Sequence, residues 1–345
     1  MTAAAGARAT ARAAPWRRLP AAYPRETGLM AMTALLILAI AFRAPDYLAA
    51  KNIDNLLFNY SFLAILVLGQ LPVLAARGID LSQDSVLAFA GMFLALLSQQ
   101  LPGLAMPAYV ALALVIGGGL GAVNGAVIAA TRIPPIIMTL GTMTVYRGLV
   151  YALSGGAWVS SHEISVPFKS VATRDLLGLP LVIWIMLAAA AGLVWLLSFT
   201  RAGRNVYAIG GNPEAAALAG LSARHTEMLV YTLSGALAGL VGYLWTARFS
   251  IAYTQVAEGR IFAIIAACVI GGISIAGGRG TVAGALLGAL FITVIETALP
   301  FLRISPFAQK AILGAVILIA VAANARGERG AGRQILPREG TEAGR

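Results

Sequence analysis

Ten apolar runs recur along this chain, and they restrict what it can become more than any other feature. They lie at about 28–43, 56–76, 84–99, 108–130, 134–153, 180–198, 227–247, 261–276, 282–299 and 307–323. A helix needs about 20 predominantly apolar residues to cross a hydrocarbon core of ~30 Å, and several of these runs approach or reach that length. Inside lipid every backbone N–H and C=O must be bonded within the protein, which leaves helices or closed barrels. A barrel needs alternating segments of about ten residues, and none is present. The reading is therefore an all-α, polytopic membrane protein with about 10 transmembrane helices, or 8–9 if a short run turns back. The third and eighth runs are short, which predicts tilted or broken helices. With 59% hydrophobic and 11% charged residues, and a mean hydropathy of +0.83, a soluble globular fold is excluded. Thirty-eight glycines fit closely packed membrane helices.

The net charge of +11 invites a nucleic-acid reading, but its distribution argues against one. With the N-terminus inside, sixteen Lys and Arg fall in inside segments and eight in outside ones; Arg147 lies within a run. That two-to-one bias predicts both termini in the cytoplasm and the 199–226 loop inside. About 27 residues, with Arg8, Arg12, Arg17, Arg18 and Arg25, precede the first run, unlike a signal peptide. The expected organisation is a disordered basic cytoplasmic tail at 1–27, a membrane domain at 28–323 and a second cytoplasmic tail at 324–345. Cys268, the one cysteine, sits in an apolar run and reads as a small buried hydrophobe. The longest outside loop, 154–179, reads either as a docking surface or as a connector.

The 199–226 loop has a helix start and stop written into it. Asn212 is a good N-cap, Pro213 suits the first helical position, and Glu214 favours the positive helix end. Ala215, Ala216, Ala217 and Leu218 continue the helix for roughly two turns, and Gly220 can end it. The whole string TRAGRNVYAIGGNPEAAALAGL resembles the cytoplasmic loop of permease subunits of bacterial ABC importers, in the ribose, arabinose, xylose and rhamnose branch. GIDLSQDSVLAFAG and CVIGGISIAGGRGTVAGALLGAL resemble the same branch, and the likeness covers about residues 50–325.

The resemblance implies an ABC importer permease fold in the bacterial inner membrane. Its implied partners are an ABC ATPase subunit that binds ATP and Mg, a periplasmic sugar-binding protein, and a second permease copy or sister permease. The coupling element it implies comprises Gly210, Gly211, Asn212, Pro213, Glu214, Ala215, Ala216 and Gly220. The strings GGISIAGGRGTVAG and ISPFAQK look most like rhamnose-type permeases, with autoinducer-2 permeases next. Branched-chain amino acid importers share related loops, but GIDLS and the GGN form favour the sugar branch.

Ionisable groups inside a membrane usually face a bundle interior, a cavity or a partner. Asp80 or Ser82 can cap a helix beginning near Ser85; direct sugar contact by Asp80 and Asp84 is the other reading. Arg147 can snorkel outward or pair with a carboxylate, Glu296 being one choice. Asn124, Thr139, Thr142 and Thr144 can line a path or bond between helices and to their own backbone. Gly280, Gly284 and Gly288 form a small-residue series for tight packing. An ion-coupled transporter usually carries a carboxylate near mid-membrane, whereas Asp80, Asp84 and Glu296 all map near run ends. No GxxxxGK[ST] occurs, so the chain lacks a P-loop for ATP hydrolysis. HExxH and GxSxG are also absent, which leaves a non-catalytic subunit.

Overall fold

A computed structural model describes residues 24–305, 307–309, 311–312, 314–316 and 318. Residues 1–23 of the expected N-terminal tail, the 324–345 tail and the end of the tenth run lie outside the described residues. Helix α1 (Pro24–Arg43) starts four residues before its apolar run and leads through a short turn at Pro45–Leu48 into α2 (Ala50–Ala75). Then follow α3 (Gln83–Gln100), α4 (Met106–Thr131) and α5 (Pro135–Ser154). A short helix α6 (Val166–Thr173) and a two-residue hairpin, Asp175–Leu176 with Leu179–Pro180, precede α7 (Leu181–Phe199). The loop helices α8 (Arg201–Gly211) and α9 (Pro213–Leu218) lead to α10 (Ala223–Phe249), α11 (Arg260–Ile270) and α12 (Val282–Phe301). Seven of the described helices are long and apolar enough to cross a membrane; α3, α11 and Phe307–Val316 occupy the remaining runs. The chain is an all-α polytopic membrane protein.

The bundle is built around α2, in which every residue from Ser61 to Ala75 is buried. A helix apolar on all sides belongs in a core, and α10, α12, α7 and α11 surround it. The closest pairing is α4 with α10. Gly117 and Gly121 of α4 meet Gly235 and Gly239 of α10, so that a Cβ on Gly121 would fall onto the Tyr231 carbonyl. Small residues at this spacing let two backbones touch. Gly284 and Gly288 do the same for α12 against Gly271 and Ala267 of the α11 end. Gly280, expected on the same helix face, instead precedes it; α12 opens at Val282 with Thr281 as its N-cap.

The short third run has a specific cause. α2 ends at Ala75 with Arg77 in the left-handed conformation (φ 67°), Gly78 N–H donating to Val73 O and Arg77 N–H to Leu74 O. This closing motif satisfies the last carbonyls of α2 and turns the chain back into the bundle. Residues 78–82 are not helical, and α3 begins beside Ser234, the twelfth residue of α10. At 1.5 Å per residue that lies ~16 Å along α10, well away from its first turn. The eighth run likewise yields an eleven-residue helix, α11, rather than a full crossing.

At the end of the bundle away from α8 and α9, the 154–179 segment is more than a connector. Val159 and Ala252 exchange both backbone hydrogen bonds, tying it to the 250–259 loop. Phe168 of α6 is fully buried edge-on against Tyr109 and Tyr243, whose hydroxyl donates to Phe168 O at 3.0 Å.

Candidate functional site

Helix α9 forms as its sequence predicts. Asn212 Oδ1 accepts from Ala215 N–H at 3.0 Å, Pro213 opens the helix, and Gly220 leaves it at φ +77°. α8 ahead of it was not foreseen as a helix, although its apolar residues Val206 and Ile209 are spaced for one buried face. Thr200 caps it by accepting from Gly203 N–H at 3.1 Å. Gly210 lies against Ala75 so closely that a Cβ there would strike the Ala75 carbonyl, and Gly278 N–H donates to that same carbonyl at 2.9 Å. Tyr207 donates to Gly280 O at 2.9 Å; burial pushes its phenol pKa up, so the donor stays protonated. α8 is thereby fixed to the end of α2 and to the loop before α12. α9 itself is free of the body apart from Ala216, and Leu218 is 92% exposed.

Asp80, Ser82 and Asn124 come together, but not as a helix cap. Asp80 Oδ1 accepts from Ser82 N–H (2.9 Å) and Ser82 Oγ (2.6 Å), and Oδ2 accepts from Ser234 Oγ (2.6 Å). Asn124 Nδ2 donates to Ser82 Oγ at 2.8 Å. Ser82, the N-cap residue of α3, has helical φ −81° and ψ −9°, so its hydroxyl cannot reach forward to the first-turn N–H groups. The carboxylate instead joins the 78–82 return to α10, and through Ser82 to α4. Gln83 donates to Ser234 Oγ at 2.8 Å, and Gln70, oriented to satisfy both ends of its amide, bonds the backbone of Asp80. Asp80, Ser82, Gln83 and Asn124 are completely buried. Asp80 lies beside Ser234 in the bundle interior, because the chain turns back after α2. Completely buried and with three donors on it, Asp80 ties the return to α10.

Asp84 and Arg147 also meet, and Glu296 is elsewhere. Arg147 Nη2 lies 4.0 Å from Asp84 Oδ1, and Nη1 donates to Thr254 O (2.8 Å) and Val256 O (3.0 Å). Asp84 Oδ2 accepts from Gly259 N–H at 3.3 Å. These bonds draw the 250–259 loop down onto α3 and α5. Glu296 pairs with Arg260 at 3.4 Å, because α12 runs beside α11 and not beside α5. Thr139 donates to Ile79 O and Pro135 O, while Thr142 and Thr144 bond their own helix. Tyr146 adds a 2.9 Å bond to Leu120 O between α5 and α4. Ser234, Gln83 and Arg260 were missed from sequence, since isolated polar residues in apolar runs do not announce their partners.

Multiple spans, two helices that begin or end within the bundle and an exposed capped helix on a fixed lever together define a membrane permease. The branched-chain amino acid transport system / permease component family model matches residues 52–321, and the chain belongs to that family of ABC importer permeases. It is 32% identical to the L-arabinose ABC transporter permease protein AraH of Azospirillum brasilense, covering 92% of this chain and 91% of that one. It is 36% identical to the ribose import permease protein RbsC of Haemophilus influenzae, over 84% of this chain and 90% of the relative. The autoinducer 2 import system permease protein LsrC of Salmonella choleraesuis is 33% identical over 83% of both chains. No solved structure matches.

Proposed function

We propose that the chain is the membrane subunit of an ABC importer that admits a monosaccharide, with a rhamnose-type sugar as its cargo. One observation carries the coupling half of this reading: α9 is a side-chain-capped helix that projects from the bundle and ends in the almost fully exposed Leu218. An ATPase subunit, holding the ATP and Mg, docks there from the cytoplasm. Burying Leu218 contributes ~1.5–3 kcal/mol to that contact. Motion of α9 passes through α8 to Ala75 and the 277–280 loop, and so to the return that leads into Asp80. A periplasmic binding protein delivers the sugar at the opposite end, and a second copy or a sister permease completes the path. The sugar assignment is supported by the names of the arabinose, ribose and autoinducer 2 relatives. Rhamnose rests on the likeness of GGISIAGGRGTVAG and ISPFAQK alone.

Two experiments test these points. A reporter fused after Arg204 is expected to behave as cytoplasmic and one after His162 as periplasmic; the reverse pattern removes the ATPase from reach of α9. Glu214→Lys places a cation at the positive helix end, which costs only ~0.3–1 kcal/mol locally and leaves the bundle folded. Abundance in the membrane is therefore expected to stay normal, while sugar uptake, transport-linked ATP hydrolysis and co-purification of the ATPase fall together. Leu218→Asp is expected to act in the same direction. Unchanged uptake and ATPase recovery in both variants would make the loop a connector. Uptake of labelled L-rhamnose, D-ribose, L-arabinose and leucine, with and without this chain, decides the cargo; leucine alone would favour the amino-acid branch named by the family description.

A further inference from the structure

Distant from the Asp80 hub and the α8–α9 loop, a cavity of about 720 Å³ opens where the first turns of α2 meet the last turns of α10 and α12. Binding clefts for small molecules typically occupy ~300–1,000 Å³. Its polar lining is concentrated. Asn52, Asn55 and Asn59 stand at i, i+3 and i+7 of α2, a spacing that aligns them on one helix face. Arg248 from α10, Arg260 from α11 and Glu296 from α12 complete the polar lining, with Phe58 and Phe301 beside them.

Two features set this cavity apart from ordinary membrane-edge polarity. Arg248 is held in place before any ligand arrives: Nη2 donates to Asn55 Oδ1 at 2.9 Å and the guanidinium lies 3.9 Å over the Phe58 ring. Arg260 is a cation at the first position of a helix, where the dipole disfavours it. Its Nη2 is 3.4 Å from Glu296 and its guanidinium lies over the Trp245 ring at 5.4 Å, so the pair and the ring fix it in the cavity wall. The cavity of about 570 Å³ beside Asp84 and Arg147 has no asparagine stripe; Leu81, Leu140, Met143, Ile261 and Phe262 share its wall with Ser85, Thr144, Tyr151 and Glu258.

The geometry points to the α2–α10–α12 cavity as a binding site for a neutral polyol, the transported monosaccharide itself. This assignment rests on the sugar-permease reading. Each sugar hydroxyl both donates and accepts; asparagine amides do both, arginine only donates and ionised glutamate only accepts, so the lining matches adjacent hydroxyls. The less polar face of the sugar packs against the Phe301 ring.

Saturation-transfer NMR on the full chain in lipid nanodiscs tests this, with L-rhamnose, D-ribose, L-arabinose and leucine as probes. Transfer to sugar C–H protons is expected in the native chain. It is expected to weaken at least about fivefold in Asn55→Leu/Asn59→Leu, since one lost hydrogen bond of ordinary strength is worth about five- to tenfold in affinity. If the double variant fails to assemble, Asn59→Ala carries the same expectation at smaller size. Sugar transfer that is equal in native and variant chains overturns the site but leaves the sugar-permease reading standing. Transfer to leucine and to no sugar overturns both. Transfer to none of the four probes overturns the site, and the uptake assay then decides the cargo independently.

Discussion

Replacing Asp80 with alanine is expected to remove most of the folded protein from the membrane, with no change of sugar preference in whatever remains. The carboxylate receives three hydrogen bonds, from Ser82 N–H, Ser82 Oγ and Ser234 Oγ, and Asp80 is completely buried. Alanine leaves these donors without an acceptor in a dry interior, at ~1–3 kcal/mol each, or about 3–6 kcal/mol together once the hydroxyls reorient. Against a typical net stability of ~5–15 kcal/mol that is a large fraction. Asp80→Asn keeps one acceptor oxygen and is expected to fall between the native chain and alanine. Membrane abundance and thermal melting in detergent read the effect. An alanine variant that accumulates and melts normally while its sugar preference shifts would make Asp80 a substrate contact instead.

A leucine at Gly121 is expected to be equally damaging by a different route. Its Cβ would land on the Tyr231 carbonyl, with the Gly235 backbone beside it, and no flexible side chain stands between the two helices to yield. Overpacking in a core usually costs ~1–3 kcal/mol when side chains can move; here α4 and α10 must separate bodily, so the loss is larger. Separation also pulls Asn124 away from Ser82, because both ends of that bond depend on the same crossing. Gly119→Leu is the control: the position is exposed, and a Cβ there would have no atom within 4 Å. Near-normal abundance for Gly119→Leu beside loss of Gly121→Leu is the expected pair. Equal tolerance of both would mean that the glycine crossing does not set the distance between these helices.

The contrast between the two ends of the molecule shows what a linear reading can reach. The α9 helix was legible to the residue, because its cap, its proline and its terminating glycine act on neighbours within eight positions. The helices were legible for a related reason, since lipid demands that an apolar run satisfy its own backbone. Neighbouring α8 was not read as a helix, although Val206 and Ile209 carried the periodic signal. The Asn52, Asn55 and Asn59 stripe was present in the same form, one face of a helix, yet nothing local said that arginines from α10 and α11 would meet it.

The sequence by itself determined an all-α membrane protein, its apolar runs, the capped loop helix and membership of the permease class. Each of these follows from local hydrogen bonding, from transfer of short segments into lipid, or from strings long enough to identify a family. Only the tertiary structure decided that Asp80 is completely buried, that it bonds Ser234 154 positions away, and that Arg147 joins Asp84 while Glu296 joins Arg260. Burial read along a chain assumes that each run starts at the membrane edge, and the non-helical return at 78–82 breaks that assumption. Partners across the bundle are chosen by which helix faces come close enough to touch. That choice is made by backbone-to-backbone contacts at glycines on different helices, which no single segment contains.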